Sequence, residues 1–400
     1  MSFPLDPPLK LAFWGGERTI LKRDAMLIRV TMDTGLVGYA PGPAHERAAR
    51  QIRDVIQPFL AGRDPTRWND LGFHSDLPTL KTYRAVEIAL LDALARYEEC
   101  PLSDLVGGRK RSSIKLYGSA GMYMSPEQYA EEAAAIAAMG FPAYKMRSGI
   151  GPDGDLKTVE LMRRAVGAEM GLMIDAHTWW RMGDRSYSFD TVQALADGLA
   201  IYNPVWLEEP LPPDNHAAYK QLRNRTNVKL ASGEHEPDEA GFLDLIESEA
   251  VDYVQMDVLC QGGLATAQQV FHRVQQKRLR FAFHSWGTAL EVLTAAHLGI
   301  CWPETVVEWL EYPCYAKGGP PGMYPFPISE EILNEPLEIR QGRLIVPDSP
   351  GLGIAINEHV VEKYPLIPGP WSFFRLHSPV ETIAVTGDHS VKWVNEGHDG

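Results

Sequence analysis

The sequence predicts an α/β protein, a (β/α)8 TIM-type barrel preceded by a mixed α+β region. Three observations carry this. From about Lys115, eight short apolar runs alternate with helical segments at a spacing of about 23–34 residues. No G-x-G-x-x-G follows an early strand, which argues against a doubly wound sheet. The region before the repeat mixes strand and helix patterns, and the region after it has no clear repeat.

In chain order, "AMLIRVTMDTGLVGYA" reads as two strands joined by a tight turn at Asp33-Thr34-Gly35, where glycine tolerates positive φ. Helical periodicity follows over 46–60 and again over 83–98, the second rich in Ala and Leu. The small-residue turn "VGG" at 106–108 closes the region. The eight candidate strands are "IKLYGSA", "PAYKMR", "GLMIDAH", "VWLEEP", "VKLASGE", "DYVQMD", "RFAFHS" and "VVEWLE". A helix after the first is set by Ser125 as N-cap, Pro126 in the first turn and Gly140 past the end. "SFDTVQALADGLAIY" and "GGLATAQQVFHRVQQKR" carry the same periodicity. "KGGPPGMYPFP", from Lys317, is loop chemistry. The expected division is an N-terminal α+β domain over 1–114, a barrel over 115–325, and a segment over 326–400 that packs back on the N-terminal region.

A formal charge of −14 argues against a nucleic-acid partner or an anionic membrane surface. Cys100, Cys260, Cys301 and Cys314 fit no zinc or disulfide pattern and read as reduced core or near-core residues of a cytoplasmic protein. The start "MSFPLDPPLK" lacks a signal-peptide pattern, and no apolar run is long enough to span a bilayer.

The candidate chemistry sits at strand ends. In a barrel, the carboxyl ends of the strands line the mouth where reactions occur. Asp175, Glu208 and Glu234 end the third, fourth and fifth candidate strands. Three converging carboxylates repel unless a cation joins them. An all-oxygen set suits Mg2+, or Mn2+, better than zinc. Glu209 is the alternative to Glu208, since strand alternation turns the two to opposite sides. Lys145 and Arg147 end the second strand two residues apart and share a face. Asp257 ends the sixth strand and His284 the seventh, where an acid can orient an imidazole. The eighth offers Glu308 and Glu311.

The hairpin "TMDTGLVGYA", the passage "ALLDALARYEECPLSDLVGG", then "YKMR", "IDAH", "WLEEP", "ASGEHE", "VQMDVLCQGG" and "FHSWG" follow one another as in the mandelate racemase-like subgroup of the enolase superfamily, which this chain resembles from about Ala25 to Glu311. The resemblance implies a modified (β/α)8 TIM-type barrel under an α+β capping domain formed by the N-terminal region and part of the C-terminal tail. It also implies Mg2+ on Asp175, Glu208 and Glu234, a carboxylate substrate with an α-proton, and a homo-oligomer. The general chemistry of that superfamily, a Lys or His base with a metal-stabilised enediolate, then assigns roles. His284, oriented by Asp257, is the base or general acid, and Lys145 is an electrostatic partner. Glu311, or failing that Glu308, is the candidate for a protonated acid that bonds the substrate carboxylate. One residue departs from the pattern. Racemases of this subgroup usually carry Lys-x-Lys on the second strand, and here the second position is Arg147, a poor base because it stays protonated. Arg147 is expected to bind a substrate oxygen or help hold the carboxylate, and dehydration of a sugar acid to a 2-keto-3-deoxy acid is favoured over racemisation, epimerisation or cycloisomerisation. A non-catalytic binder of metal and sugar acid is the remaining alternative.

"GEHE" resembles a segment of some sugar-acid dehydratases, and its His235 either contacts substrate or packs near the metal. "FWGGER" suits a lid, with Trp14 and Arg18 as substrate contacts, and "PGPAHER" offers His45. Tyr117 and Trp286 are candidate pocket walls. The partner implied is a small carboxylate.

Overall fold

The computed structural model describes residues 1–257, 261–316 and 324–386. Cys260 and most of the stretch from Lys317 lie outside the described residues.

Two hairpins open the chain. β1 (Ser2–Phe13) and β2 (Gly16–Asp24) pair antiparallel about the turn Trp14-Gly15. The segment read as a lid is therefore mostly strand: Arg18 lies inside β2 and is buried. β3 (Met26–Thr31) and β4 (Val37–Gly42) form the second hairpin at the predicted place, with Gly35 at φ 84°. Helical turns run from Glu46 to Leu60, interrupted by a wider π turn over Ile52–Ile56. The helix Leu77–Tyr97 begins earlier than its periodicity suggests, because Asp76 accepts from Thr79 N–H at 2.9 Å and Pro78 suits the first turn. Gly38 of β4 rests directly on this helix; a Cβ there would sit 2.0 Å from Ala89 O and 2.4 Å from Ala93 N.

All eight apolar runs form the barrel: β5 (Ser113–Met122), β6 (Ala143–Arg147), β7 (Gly171–Asp175), β8 (Trp206–Glu208), β9 (Leu230–Ser232), β10 (Tyr253–Met256), β11 (Arg280–Phe283) and β12 (Val307–Pro313). Neighbours are parallel throughout, and β12 pairs with β5 to close the sheet. The helix Pro126–Ala138 shows the predicted Ser125 cap, completed by Gln128 as a capping box.

One interior layer explains how the barrel is filled. Tyr117, Ala143, Met173, Trp206, Ala231, Tyr253, Ala282 and Trp309 come one from each strand in turn. Large and small residues largely alternate around the ring, and Trp206 meets Tyr117 edge-on with centroids 5.4 Å apart. This plug is close-packed and apolar, so the polar residues above it stand on a rigid floor.

β13 (Ile339–Arg340) and β14 (Arg343–Ile345) pair antiparallel, and β14 adds antiparallel to the start of β5. β15 (Ser372–His377) and β16 (Val380–Val385) complete a four-stranded sheet through β2. Cys301 and Cys314 are buried free thiols and Cys100 is half-buried. No described helix is long and apolar enough to cross a membrane.

Gly38→Ala is expected to lower the unfolding free energy by about 1–3 kcal/mol through overpacking, read from urea denaturation. An unchanged midpoint would show that the hairpin and helix are not pressed together as described.

Candidate active site

The barrel register places the polar residues. On an inward-facing row, the residue two past the plug layer is the next to point inside. Ala143 leads to Lys145, Met173 to Asp175, Trp206 to Glu208, Ala282 to His284 and Trp309 to Glu311. Asp175 pairs in register with Glu208 on one side and Arg147 on the other.

Lys145 is the hub. Its Nζ lies 2.7 Å from Glu208 Oε1, 3.0 Å from Glu311 Oε1 and 3.5 Å from Asp175 Oδ2, and the residue is buried. Burial opposes the charge, but the Glu208 and Glu311 carboxylates outweigh it and hold the ammonium well above its ordinary value. Trp206 Nε1–H donates to the other Glu208 oxygen at 2.9 Å. Arg147 donates to Asp175 Oδ2 from Nη2 at 2.9 Å and Nε at 3.2 Å, and its guanidinium lies over Trp286 at 5.2 Å. A cavity runs past these groups, lined by Ser119, Met122, Lys145, Met146, Arg147, Asp175 and Trp286.

His284 faces three acids. Its Nε2 is 3.1 Å from Glu234 Oε2 and 3.7 Å from Glu311 Oε2, and its Nδ1 is 3.5 Å from Asp257 Oδ2. Burial works against the imidazolium, yet Glu234, Glu311 and Asp257 push its pKa up to about 10. Glu311 accepts from Ser285 N–H at 3.0 Å through Oε2, while its buried Oε1 has the Lys145 ion pair but no well-aligned hydrogen bond among the described residues. Glu308 lies at the opposite end of the strand, paired with Arg280, Lys115 and the Tyr253 hydroxyl, so it is remote from this group.

Glu208 remains short of positive charge. Burial first, then the charges of Asp175, Glu234 and Glu311, push Glu208 up to about 8 despite Lys145. Glu234 Oε2 is buried and accepts no well-aligned hydrogen bond among the described residues, although His284 is close. Such a set of oxygen donors fits a hard divalent cation. The grouping is not the one strand alternation suggests, however. Ligand atoms of Glu209, Glu234 and His235 lie within 4.8 Å of one another, a possible acidic metal-binding cluster. Regular strand ends at Glu208, and Glu209 takes φ 41°, so alternation no longer governs its direction. Its Oε2 reaches His235 Nδ1 at 2.7 Å.

His235 thus packs against two acids, and its Nε2 meets Arg181 Nη2 at 2.7 Å. Trp14 is 43 % exposed, covers the loop at Gly151 and stacks under Arg185 at 4.8 Å. His45 accepts from Ala48 N–H at 3.0 Å as a helix cap, a role sufficient to explain it. Tyr117 belongs to the plug, whereas Trp286 lines the cavity. Three features escape a reading of the sequence. His177 Nδ1 lies 2.6 Å from Asp175 Oδ1; burial lowers its pKa to about 3, so the neutral ring donates. Its place two residues past Asp175 is the one signal that could have found it. Arg181 and the inward turn of Glu209 had none.

Lys145→Met should leave Glu208 and Glu311 without their shared cation and cost about 3–5 kcal/mol of stability in the metal-free protein, with Glu208→Gln restoring part. A loss below about 1 kcal/mol in urea denaturation would contradict the hub.

Comparison with known proteins places this geometry. Residues 128–360 match the family described as enolase C-terminal domain-like, and residues 3–107 match the mandelate racemase / muconate lactonizing enzyme N-terminal domain. The D-galactarolactone cycloisomerase of Agrobacterium fabrum is 27 % identical, covering 90 % of this chain and 95 % of its own. The D-xylonate dehydratase of Haloferax volcanii is 26 % identical over 85 % of each chain. The crystal structure of the 3,6-anhydro-D-galactonate cycloisomerase from Zobellia galactanivorans has a TM-score of 0.72 at 26 % identity, covering 89 % of this chain and 97 % of that one. With both domain families matched over most of its length, the chain belongs to the enolase superfamily, in its mandelate racemase / muconate lactonizing enzyme family.

Proposed function

We propose that the protein removes the proton next to a substrate carboxylate and eliminates the β-hydroxyl, converting a sugar acid to a 2-keto-3-deoxy acid. The observation that carries this reading is the inequality of the two candidate bases. His284 is an imidazole set among Asp257, Glu234 and Glu311. Arg147 is a guanidinium tied to Asp175 by two donors, and a guanidinium does not accept a proton at neutral pH. A single base suits elimination: His284 takes the α-proton and, as imidazolium, returns a proton to the leaving hydroxyl, which departs as water. The C–H and C–O bonds break, and the resulting enol becomes the ketone.

Asp175, Glu208 and Glu234 are the proposed holders of Mg2+, with Mn2+ an acceptable substitute; Glu209 and His235 border Glu234 on its other side. Mg2+ held by these residues would supply an electrophile for the substrate carboxylate and would offset the charge on Glu234 that favours protonated His284. The remaining work falls to the chain. A general base contributes about 10²–10⁴-fold, well short of a typical enzymatic acceleration, so stabilising a doubly charged enediolate carries the larger share. Lys145, held cationic by its neighbours, is placed for that. Cycloisomerisation is the second reading, favoured by the relative from Agrobacterium fabrum and equally compatible with one base.

The test is a screen of the Mg2+-loaded protein against acid sugars, detecting 2-keto-3-deoxy products and following α-deuterium from solvent. Dehydration yields keto acid; cycloisomerisation yields an isomer of unchanged mass. His284→Asn should lower kcat by about 10²–10⁴-fold with Mg2+ affinity nearly intact. Full activity in that variant would remove His284 from the reaction, and metal binding with no turnover of any acid sugar would leave a binding protein.

A further inference from the structure

Buried charge is unbalanced in opposite senses on the two sides of the barrel mouth. On the barrel side, Asp175, Glu208, Glu209, Glu234 and Glu311 outnumber the cations among them. Towards the cap the sign reverses. Arg18 of β2 is 5 % exposed and has no carboxylate within 4 Å among the described residues. Its Nε donates to Ser372 Oγ at 3.1 Å, and its guanidinium lies 4.8 Å from the Trp371 ring centroid and 4.7 Å from that of Phe374. Burial holds its pKa down at about 9; Tyr123 opposes, and the charges of Arg147, Arg23 and Arg181 add to the lowering. A guanidinium in such surroundings is costly without an anion.

Arg18 also stands directly behind one wall of the cavity. Its Nη1 is 3.9 Å from Met122 Sδ, and Met122 forms a wall of the cavity with Lys145, Arg147, Asp175 and Trp286. A guanidinium favours planar oxyanions, carboxylate or phosphate, with paired donors. We infer that the substrate is a dianion whose second carboxylate, remote from the reacting carbon, is received by Arg18. The inference rests on the proposed binding of the first carboxylate at the metal and Lys145, and it narrows the substrate class from aldonic to aldaric acids. It also explains a buried arginine that the cap does not pair with an acid.

The test separates this from the reaction itself. Binding of inert succinate, glutarate and adipate to the Mg2+-loaded full chain is compared by calorimetry with butyrate, pentanoate and hexanoate, in the wild type, Arg18→Lys and Arg18→Met. At least one dicarboxylate should bind about tenfold or more tightly than the monocarboxylate of equal length. Arg18→Met should erase that ratio and Arg18→Lys keep part of it. A purely structural Arg18, clamping the C-terminal strand through Trp371 and Phe374, would lower thermal stability and both affinities together, leaving the ratio intact. Equal binding of the two acid series by the wild type overturns the inference without any variant. So does a dicarboxylate advantage reproduced by a monocarboxylate together with inorganic phosphate, which would mark a separate anion site. Dehydration of aldonic acids as efficient as that of aldaric acids would overturn it while leaving the reaction intact. Selective dicarboxylate binding with no dehydration would overturn the reaction and leave the Arg18 site standing.

Discussion

The constraint on which the site depends is the burial of several like charges at the mouth of an apolar barrel. Glu208, Glu311 and Asp175 converge on one ammonium, Lys145, at 2.7, 3.0 and 3.5 Å. In a low-dielectric setting each of these carboxylates would be expensive alone. Shared by Lys145, and with Arg147 on Asp175, the group becomes tolerable but not neutral, and the residual demand for positive charge shows in Glu208. A site built this way fits a hard divalent cation, and the proposed reaction, which creates negative charge, draws on the same demand.

The fold supplies the rigidity such a cluster needs. The plug layer of alternating large and small residues fixes the strand ends, so the row two residues above it presents its side chains from a common level. The C-terminal chain meets both ends of the structure. β14 lies along the start of β5, away from the mouth, while β15 lies along β2 and Arg18 is held between Trp371 and Phe374. The sheet that contains Arg18 is thereby built from strands at both ends of the chain.

Much of this was legible in the sequence, for identifiable reasons. The eight strands were readable because each is a short apolar run bounded by turn or helix signals. Asp175, Glu208 and Glu234 stood out because acids end three consecutive apolar runs, and His284 because Asp257 ends the run before it. The choice between Glu308 and Glu311 needed the register, which sets one among ion pairs at the strand start and the other beside Lys145. Glu209 misled because the alternation rule assumes a continuing strand, and φ 41° ends it. Arg18 was read as part of a lid from its glycines, yet two strand partners, β1 and β15, hold it in a sheet. That second partner lies over 350 residues away in sequence, beyond the reach of any local pattern.

The position of the metal decides between this arrangement and its alternatives. A crystal of the full chain grown with Mn2+ and measured at the manganese absorption edge would locate the ion by its own scattering. One peak in coordination contact with Asp175, Glu208 and Glu234, with Lys145 beside it, is the result predicted. A peak bound by Glu209, Glu234 and His235 with Asp175 still tied to Arg147, or no peak near these carboxylates, would contradict it.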